Sequence, residues 1–239
     1  MLQNIKQFYG IKLGAIDGPI GHVRDFYFDD KTWAVRYLVA DTGTWLSDQQ
    51  VLLTPHAFGA HAFGRFEAGT DTLHVDLTRK QIEESPSIET HRPVSRQYEE
   101  EYYRYYGWQG YWQGGGMWSG VSFPEVSPFL PAENVPHHGR HQLDDLHLRS
   151  TKELVGYHIE ATDGQIGAVT SFILDGSTWA IREFVIETGY WYAGKTILLL
   201  PDNIKRIDYE HSCIFVNLTK EDLKQTTRND VAQAAALSH

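Results

Sequence analysis

At 239 residues the chain is long enough for one large or two ordinary domains, and 41% hydrophobic against 22% charged residues is the composition of a soluble globular protein. Its 31 acidic against 21 basic residues give a formal charge of −10, which repels phosphate backbones and anionic membranes, so no nucleic-acid partner is expected. The single cysteine, Cys213, excludes an intrachain disulfide and a thiolate cluster; no run of 18 apolar residues and no signal-like stretch occurs, so the expectation is a cytoplasmic protein without direct membrane insertion.

In chain order, period-2 patterning predicts short strands over Ile11 to Ile16, Ile20 to Phe28, Trp33 to Asp41, Val51 to Thr54 and Thr72 to Leu77. Asp17-Gly18 supplies the positive φ of a tight hairpin between the first two. Asp29-Asp30-Lys31-Thr32 reads as a polar turn before the longest strand, along which Trp33, Val35, Tyr37 and Val39 would face one way and Ala34, Arg36, Leu38 and Ala40 the other. Arg36, among apolar neighbours, calls for an acidic partner inside its own repeat. Trp45 follows a Thr-Gly turn and is a candidate interaction anchor. Thr78 reads as a helix N-cap, with Gln81 completing a capping box.

Residues 86 to 150 break this pattern with six prolines, Gly114-Gly115-Gly116 and scattered charge, the composition of a linker. Yet residues 98 to 118 hold nine aromatics, too many for a solvated tether. The leading reading is a helical or irregular patch packed on one or both domains; the second is a partner-binding segment carried by Tyr102, Tyr103, Tyr105, Tyr106, Trp108 and Trp112. His137, His138, His141 and His147 lie in the same segment near Asp144 and Asp145. Without paired cysteines or helix-fixed spacing they form no expected metal centre.

Residues 163 to 201 then repeat residues 17 to 55 without a gap, 146 positions on, with 18 of 39 positions identical. The copy brings Asp163-Gly164, the strand Trp179 to Ile186 with Arg182, the second anchor candidate Trp191, and Thr219 with Asp222 as a weaker capping pair. The turn Asp-Gly-x-Ile-Gly-x-Val, the strand Thr-Trp-Ala-Val/Ile-Arg, the Thr-Gly-x-Trp turn, the run Leu-Leu-(Leu/Thr)-Pro and the closing Leu-Thr-(Lys/Arg) resemble the PRC-barrel family in both copies, over roughly residues 5 to 85 and 150 to 225. The resemblance implies an all-β protein of two tandem small PRC-type β-barrels, each closed by a short helix. It also implies a barrel used for docking onto larger assemblies, and offers no catalytic residue to carry over.

The expected organisation is therefore a first repeat over residues 1–85, an aromatic, Gly- and Pro-rich linker over 86–150, a second repeat over 151–225 and an Ala-rich tail over 226–239. Duplication suggests an ancestral homodimer whose isologous contact became intramolecular, and a homodimer of the whole chain is compatible with the pattern. No nucleophile elbow, phosphate loop, paired-cysteine site or His-Glu-x-x-His is present. The expected function is that of a non-enzymatic interaction or adaptor protein without cofactor, docking a partner protein through Trp45, Trp191 and the linker aromatics; the alternative is a small-ligand or metal-sensing protein with a site between the two barrels.

Overall fold

The computed structural model describes residues 2–46, 49–61, 72–85, 96–108, 147–192 and 194–224. In chain order the strands are β1 (Leu2–Asn4), β2 (Lys12–Ala15), β3 (Gly18–Asp29), β4 (Val35–Asp41), β5 (Gln50–Leu53) and β6 (Thr72–His74), followed by the helices α1 (Arg79–Glu83) and α2 (Arg96–Tyr106). The second half continues with β7 (Leu148–Ser150), helix α3 (Thr151–Leu154), β8 (His158–Ala161), β9 (Gly164–Asp175), β10 (Ala180–Thr188), β11 (Thr196–Leu199), β12 (Ile204–Asp208) and β13 (Cys213–Val216). One sheet has the order β5-β4-β3-β2-β6 and the other β11-β10-β9-β8-β13-β12, so each repeat builds its own sheet. The class is all-β, as expected. Among the described residues each repeat forms one sheet, with no hydrogen-bonded pair linking β5 to β6 or β11 to β12.

The two remaining strands change places. β1, at the start of the first repeat, pairs antiparallel with β9 of the second, placing Leu2 opposite Asp175 and Asn4 opposite Ile173. β7, at the start of the second, pairs with β3 of the first, placing Leu148 opposite Asp29 and Ser150 opposite Tyr27. Every one of these positions maps onto its counterpart by the 146-residue offset, so the exchange is reciprocal about a pseudo-twofold axis. On that axis Ala34 bridges Ala180, with the Val35 N–H donating to the Trp179 carbonyl (2.8 Å) and the Ile181 N–H to the Trp33 carbonyl (2.7 Å). Such a contact is that of an isologous homodimer joined into one chain. The arms therefore cross the boundaries expected from the sequence: residues 2–4 complete the second sheet, and residues 148–150, assigned to the linker, complete the first.

Beside the axis Trp33 and Trp179 sit in the left-handed region, at φ 59° and 57°. A bulky residue there costs about 1–3 kcal/mol, and cross-repeat packing offsets it. The Trp33 ring meets Phe184 edge-on at 5.4 Å, and Trp179 meets Phe58 at 5.3 Å. The left-handed turn delays the long strand to Val35, and a β-bulge follows. The β3–β4 register steps from Tyr27↔Tyr37 to Phe28↔Val35, leaving Arg36 as the extra residue; β9–β10 skips Arg182 in the same way. Simple alternation thus fails: Val35, Leu38 and Ala40 face the core, while Tyr37 and Val39 turn to the outer face with Leu52.

The bulged arginines find the acidic partners expected of them. Arg36, buried, donates to Asp29 at 3.2 Å, and Arg182, half-exposed, to Asp175 at 3.3 Å. Partial burial opposes ionisation of Asp175, but hydrogen bonds from Ser177, Thr178 and Arg182 prevail and hold its carboxyl well below the usual carboxylate range.

Glycine is obligatory at one repeated position. A Cβ on Gly21 (φ 133°) would lie 1.9 Å from the Asp41 carbonyl oxygen, and one on Gly167 would lie 2.0 Å from that of Glu187. The identity of this glycine in both copies is therefore a matter of strand crossing, not of ligand binding.

Candidate functional site

In each repeat the long strand β3 or β9 runs 12 residues from the Asp-Gly turn to the turn beside the axis. At about 3.3 Å per residue this sets the Asp-Gly turns, with Trp45 and Trp191, roughly 40 Å of strand away from the axis, so the molecule carries two related tips. The sequence explains the shared aspartate as a turn residue, but the structure gives it a second task. Asp17 Oδ1 accepts from the Arg79 N–H (2.7 Å) and Asp163 Oδ1 from the Lys220 N–H (3.0 Å), so each caps the start of the closing helix. The Thr78–Gln81 capping box forms as expected, and Asp222 reproduces it on Thr219.

The tips differ chemically. At the first, Trp45 is half-buried and the Arg79 guanidinium lies over its ring at 4.7 Å, with Ile16 exposed beside Asp17 of the Asp-Gly turn. At the second, Tyr190 is fully exposed, and the half-buried Tyr192 ring lies 4.8 Å from Lys195 Nζ and 5.8 Å from Lys224 Nζ. Trp191 sits between them in the same 3₁₀ turn; its side chain lies outside the described residues. Tyr190 was not among the sequence candidates. Its signal is the repeat alignment, in which Thr44-Trp45-Leu46 becomes Tyr190-Trp191-Tyr192.

The aromatic segment is the helix α2 packed on the first repeat. Tyr102 and Tyr103 are buried, and the Tyr102 hydroxyl donates to the Leu52 carbonyl (2.6 Å) while its ring meets Tyr37 edge-on at 6.1 Å. Tyr105 and Tyr106 both donate to the Gln81 carbonyl, at 3.1 and 3.2 Å, tying α2 to α1. Trp108 stacks on Tyr106 at 4.5 Å, and burial raises the Tyr106 phenol to about 12. Tyr102 and Tyr103 are therefore packing residues in this arrangement. Of the four tyrosines only Tyr105 keeps an exposed ring, and Trp112 lies outside the described residues.

Where a site between the repeats was considered, rings fill the junction: Phe28 against Phe172 at 6.1 Å, Phe172 against Phe184 at 4.9 Å, and Trp33 against Phe28 at 6.0 Å. Its polar rim is devoted to joining the copies. Asp30 takes His147 Nδ1 (2.9 Å), Arg149 Nε (3.3 Å) and the Tyr209 hydroxyl (2.5 Å), and the Arg149 guanidinium covers the Tyr209 ring at 3.7 Å. Burial, then the Asp30 hydrogen bond and charge, push the Tyr209 phenol up. Asp25, buried in the first repeat, accepts from Ser150 Oγ, Thr151 Oγ1 and the Lys152 N–H of the second.

Among the described residues no group of three or more His, Cys, Asp or Glu is placed to hold a metal ion; His137, His138 and His141 lie outside them. Cys213 is half-buried, and burial, followed by the charges of Glu160 and Asp208, raises its thiol away from reactivity. No helix among the described residues is long and apolar enough to cross a membrane. No protein-family model matches the chain, and no curated protein matches its sequence.

Proposed function

We propose that the chain is a cytoplasmic, non-enzymatic docking protein: a fused pair of PRC-type units that holds a partner protein at the tip of its second repeat. The observation that carries this reading is the exposure of Tyr190 beside Trp191 and Tyr192, at a position where the first repeat has threonine and leucine and lays Arg79 over its tryptophan. Aromatic residues flanked by cations, here Lys195 and Lys224, are the composition of interface anchors, and nothing in the fold of the tip requires the Tyr190 ring. The family resemblance of both repeats points the same way. The buried polar groups at the junction are committed to holding the copies together, which agrees with a scaffold in place of a reaction centre.

Affinity capture from lysate, with the intact chain and Tyr190→Ala run side by side, tests this. A protein retained in stoichiometric amount by the first and lost from the second, at unchanged melting temperature, supports docking at the tip. Identical retained sets would refute it.

A further inference from the structure

The junction between the repeats is not symmetric in charge. Both carboxylates that accept across it belong to the first repeat, and their donors belong to the second: Asp25 takes Ser150, Thr151 and Lys152, and Asp30 takes His147, Arg149 and Tyr209. At the 146-residue offset Asp25 and Asp30 become Ser171 and Gly176, while Arg149, Ser150 and Thr151 become Gln3, Asn4 and Ile5. A first repeat facing another first repeat would set two largely buried carboxylates against Gln3, Asn4 and Ile5, with the arginine gone. A second repeat facing another would set Arg149, Ser150 and Thr151 against Gly176 and Ser171, with neither carboxylate. Unlike repeats satisfy both sides. Helix α2 is bound to the first repeat through Tyr102, Tyr105 and Tyr106, so the chain passes from one repeat to the other between Trp108 and His147. Residues 109–146 supply 38 residues for that passage, roughly 125 Å of chain at full extension against roughly 40 Å for a long strand.

We infer that the junction is an exchangeable interface whose other partner is a second copy of this chain: the first repeat of one molecule takes the second repeat of another, reciprocally, and neither repeat takes its own kind. The β1–β9 and β7–β3 arms, the Ala34–Ala180 bridge and the bonds to Asp25 and Asp30 all run between unlike repeats, so each recurs unchanged in the exchanged dimer. The two forms differ in how the repeats are connected, and mass action decides between them. Tethered repeats meet at an effective concentration on the order of mM, so at about 10 µM the exchanged dimer is expected to hold on the order of 1% of the chains. Charge fixes which repeats meet, and concentration fixes whose. The junction lies at the opposite end of the long strands from the Tyr190 tip, and neither interface depends on the other.

The test uses two full-length variants, Asp30→Arg and Arg149→Asp, unfolded together in urea, refolded at about 50 µM each and passed over size exclusion with light scattering. Each variant alone sets like charges across its junction and should be a monomer of lowered melting temperature. Mixed, they have one arrangement that pairs opposite charges at both junctions, the exchanged heterodimer. It should take more than about half of the chains and regain most of the lost melting temperature. One chain carrying both substitutions should be a monomer, because it restores the pair within itself. Should either variant fail to fold alone, recovery on mixing remains the readout. A mixture that behaves as the sum of its components would overturn the inference. Pairing by kind is read with Ala34→Cys in the Arg149→Asp chain and Ala180→Cys in the Asp30→Arg chain, both carrying Cys213→Ser, which sets one thiol on each side of the axis bridge. Glutathione disulfide should then join unlike chains at least about tenfold more than like ones, and comparable yields of like pairs would also overturn it.

Discussion

The pseudo-twofold junction supplies its own control experiment. On one side Asp25 receives Ser150 Oγ (2.5 Å), Thr151 Oγ1 (3.0 Å) and the N–H groups of Lys152 (3.2 Å) and Phe26 (2.8 Å). On the other the same positions hold Ser171 and Asn4, joined by one bond from Ser171 Oγ to Asn4 Oδ1 at 2.5 Å. Asp25→Ser alone removes a buried carboxylate whose charge-assisted bonds are worth about 1.5–3 kcal/mol each and strands donors of the α3 turn, so a loss of about 3 kcal/mol is expected. Ser150→Asn alone exchanges one good N-cap for another but crowds Asp25, at a cost of about 1 kcal/mol. The double variant transplants the opposite junction. The introduced serine donates to the introduced amide oxygen, and Thr151 keeps the Tyr9 hydroxyl at 2.9 Å as partner. Its expected loss is only about 1.5 kcal/mol, a coupling of about 2.5 kcal/mol in urea unfolding. Additive losses, with coupling under about 0.5 kcal/mol, would show that the two junctions are not interchangeable and refute the symmetry argument.

Gly21→Ala and Gly167→Ala should each destabilise the fold by about 3 kcal/mol or more, measured by thermal melting, because strand backbone must move to admit the methyl; a melting temperature within a degree or two of the parent would contradict the close crossing. At alkaline pH the phenols report on packing. Burial lifts Tyr9 to about 12 in spite of the Thr151 hydrogen bond, and lifts Tyr106 to about 12. Unfolded tyrosines ionise near 10, so the stabilisation from these neutral phenols is fully present below pH 10 and is lost as pH rises to 12. Stability should fall across that window less steeply in Tyr9→Phe, and phenolate absorbance rising in a single step at 10 would exclude it. In acid, Asp175 acts in the opposite sense: its depressed carboxyl stabilises above the unfolded value near 4 and ceases to do so as pH falls below it. Thr178→Ala, which removes one of its donors, should flatten the acid limb of a stability profile.

The duplication, most of the strand positions (β6 ends three residues short of expectation, and β12 was not expected) and the arginine ion pairs are legible because they rest on periodicity, on turn residues and on the cost of burying an unpaired cation. The exchanged arms are not. β1 and β7 are three residues each, too short to show a period, and Leu2-Gln3-Asn4 resembles Leu148-Arg149-Ser150 only once the partners are known. The bulge at Arg36 escaped for a related reason. Alternation read along one strand carries no sign of an inserted residue, and the left-handed turn at Trp33 is set by rings from the other repeat. At the tips Trp45 and Trp191 were visible as recurring residues, but the exposed ring lay at Tyr190, where the copies diverge. Aromatic density marked α2 correctly as a packing element; which sheet it covers depends on the chain path and not on composition.

The reciprocal arms also bear on how the protein is made. Asn4 emerges from the ribosome early, yet its partner stretch ends at Asp175, 171 residues later. At about 5–20 residues per second that is a wait of roughly 10 to 30 s, long compared with the formation of the hairpins within the first sheet. Until Ser150 is made the first sheet lacks β7, and until Asp175 is made the N-terminal arm has no complete place to pair, so an unfinished chain presents open strand edge to any neighbour on the same messenger. A leading copy that has completed β9 can then take the β1 arm of a trailing copy that has not yet made its own, and the spacing of translating ribosomes becomes a determinant of how many chains finish as single molecules.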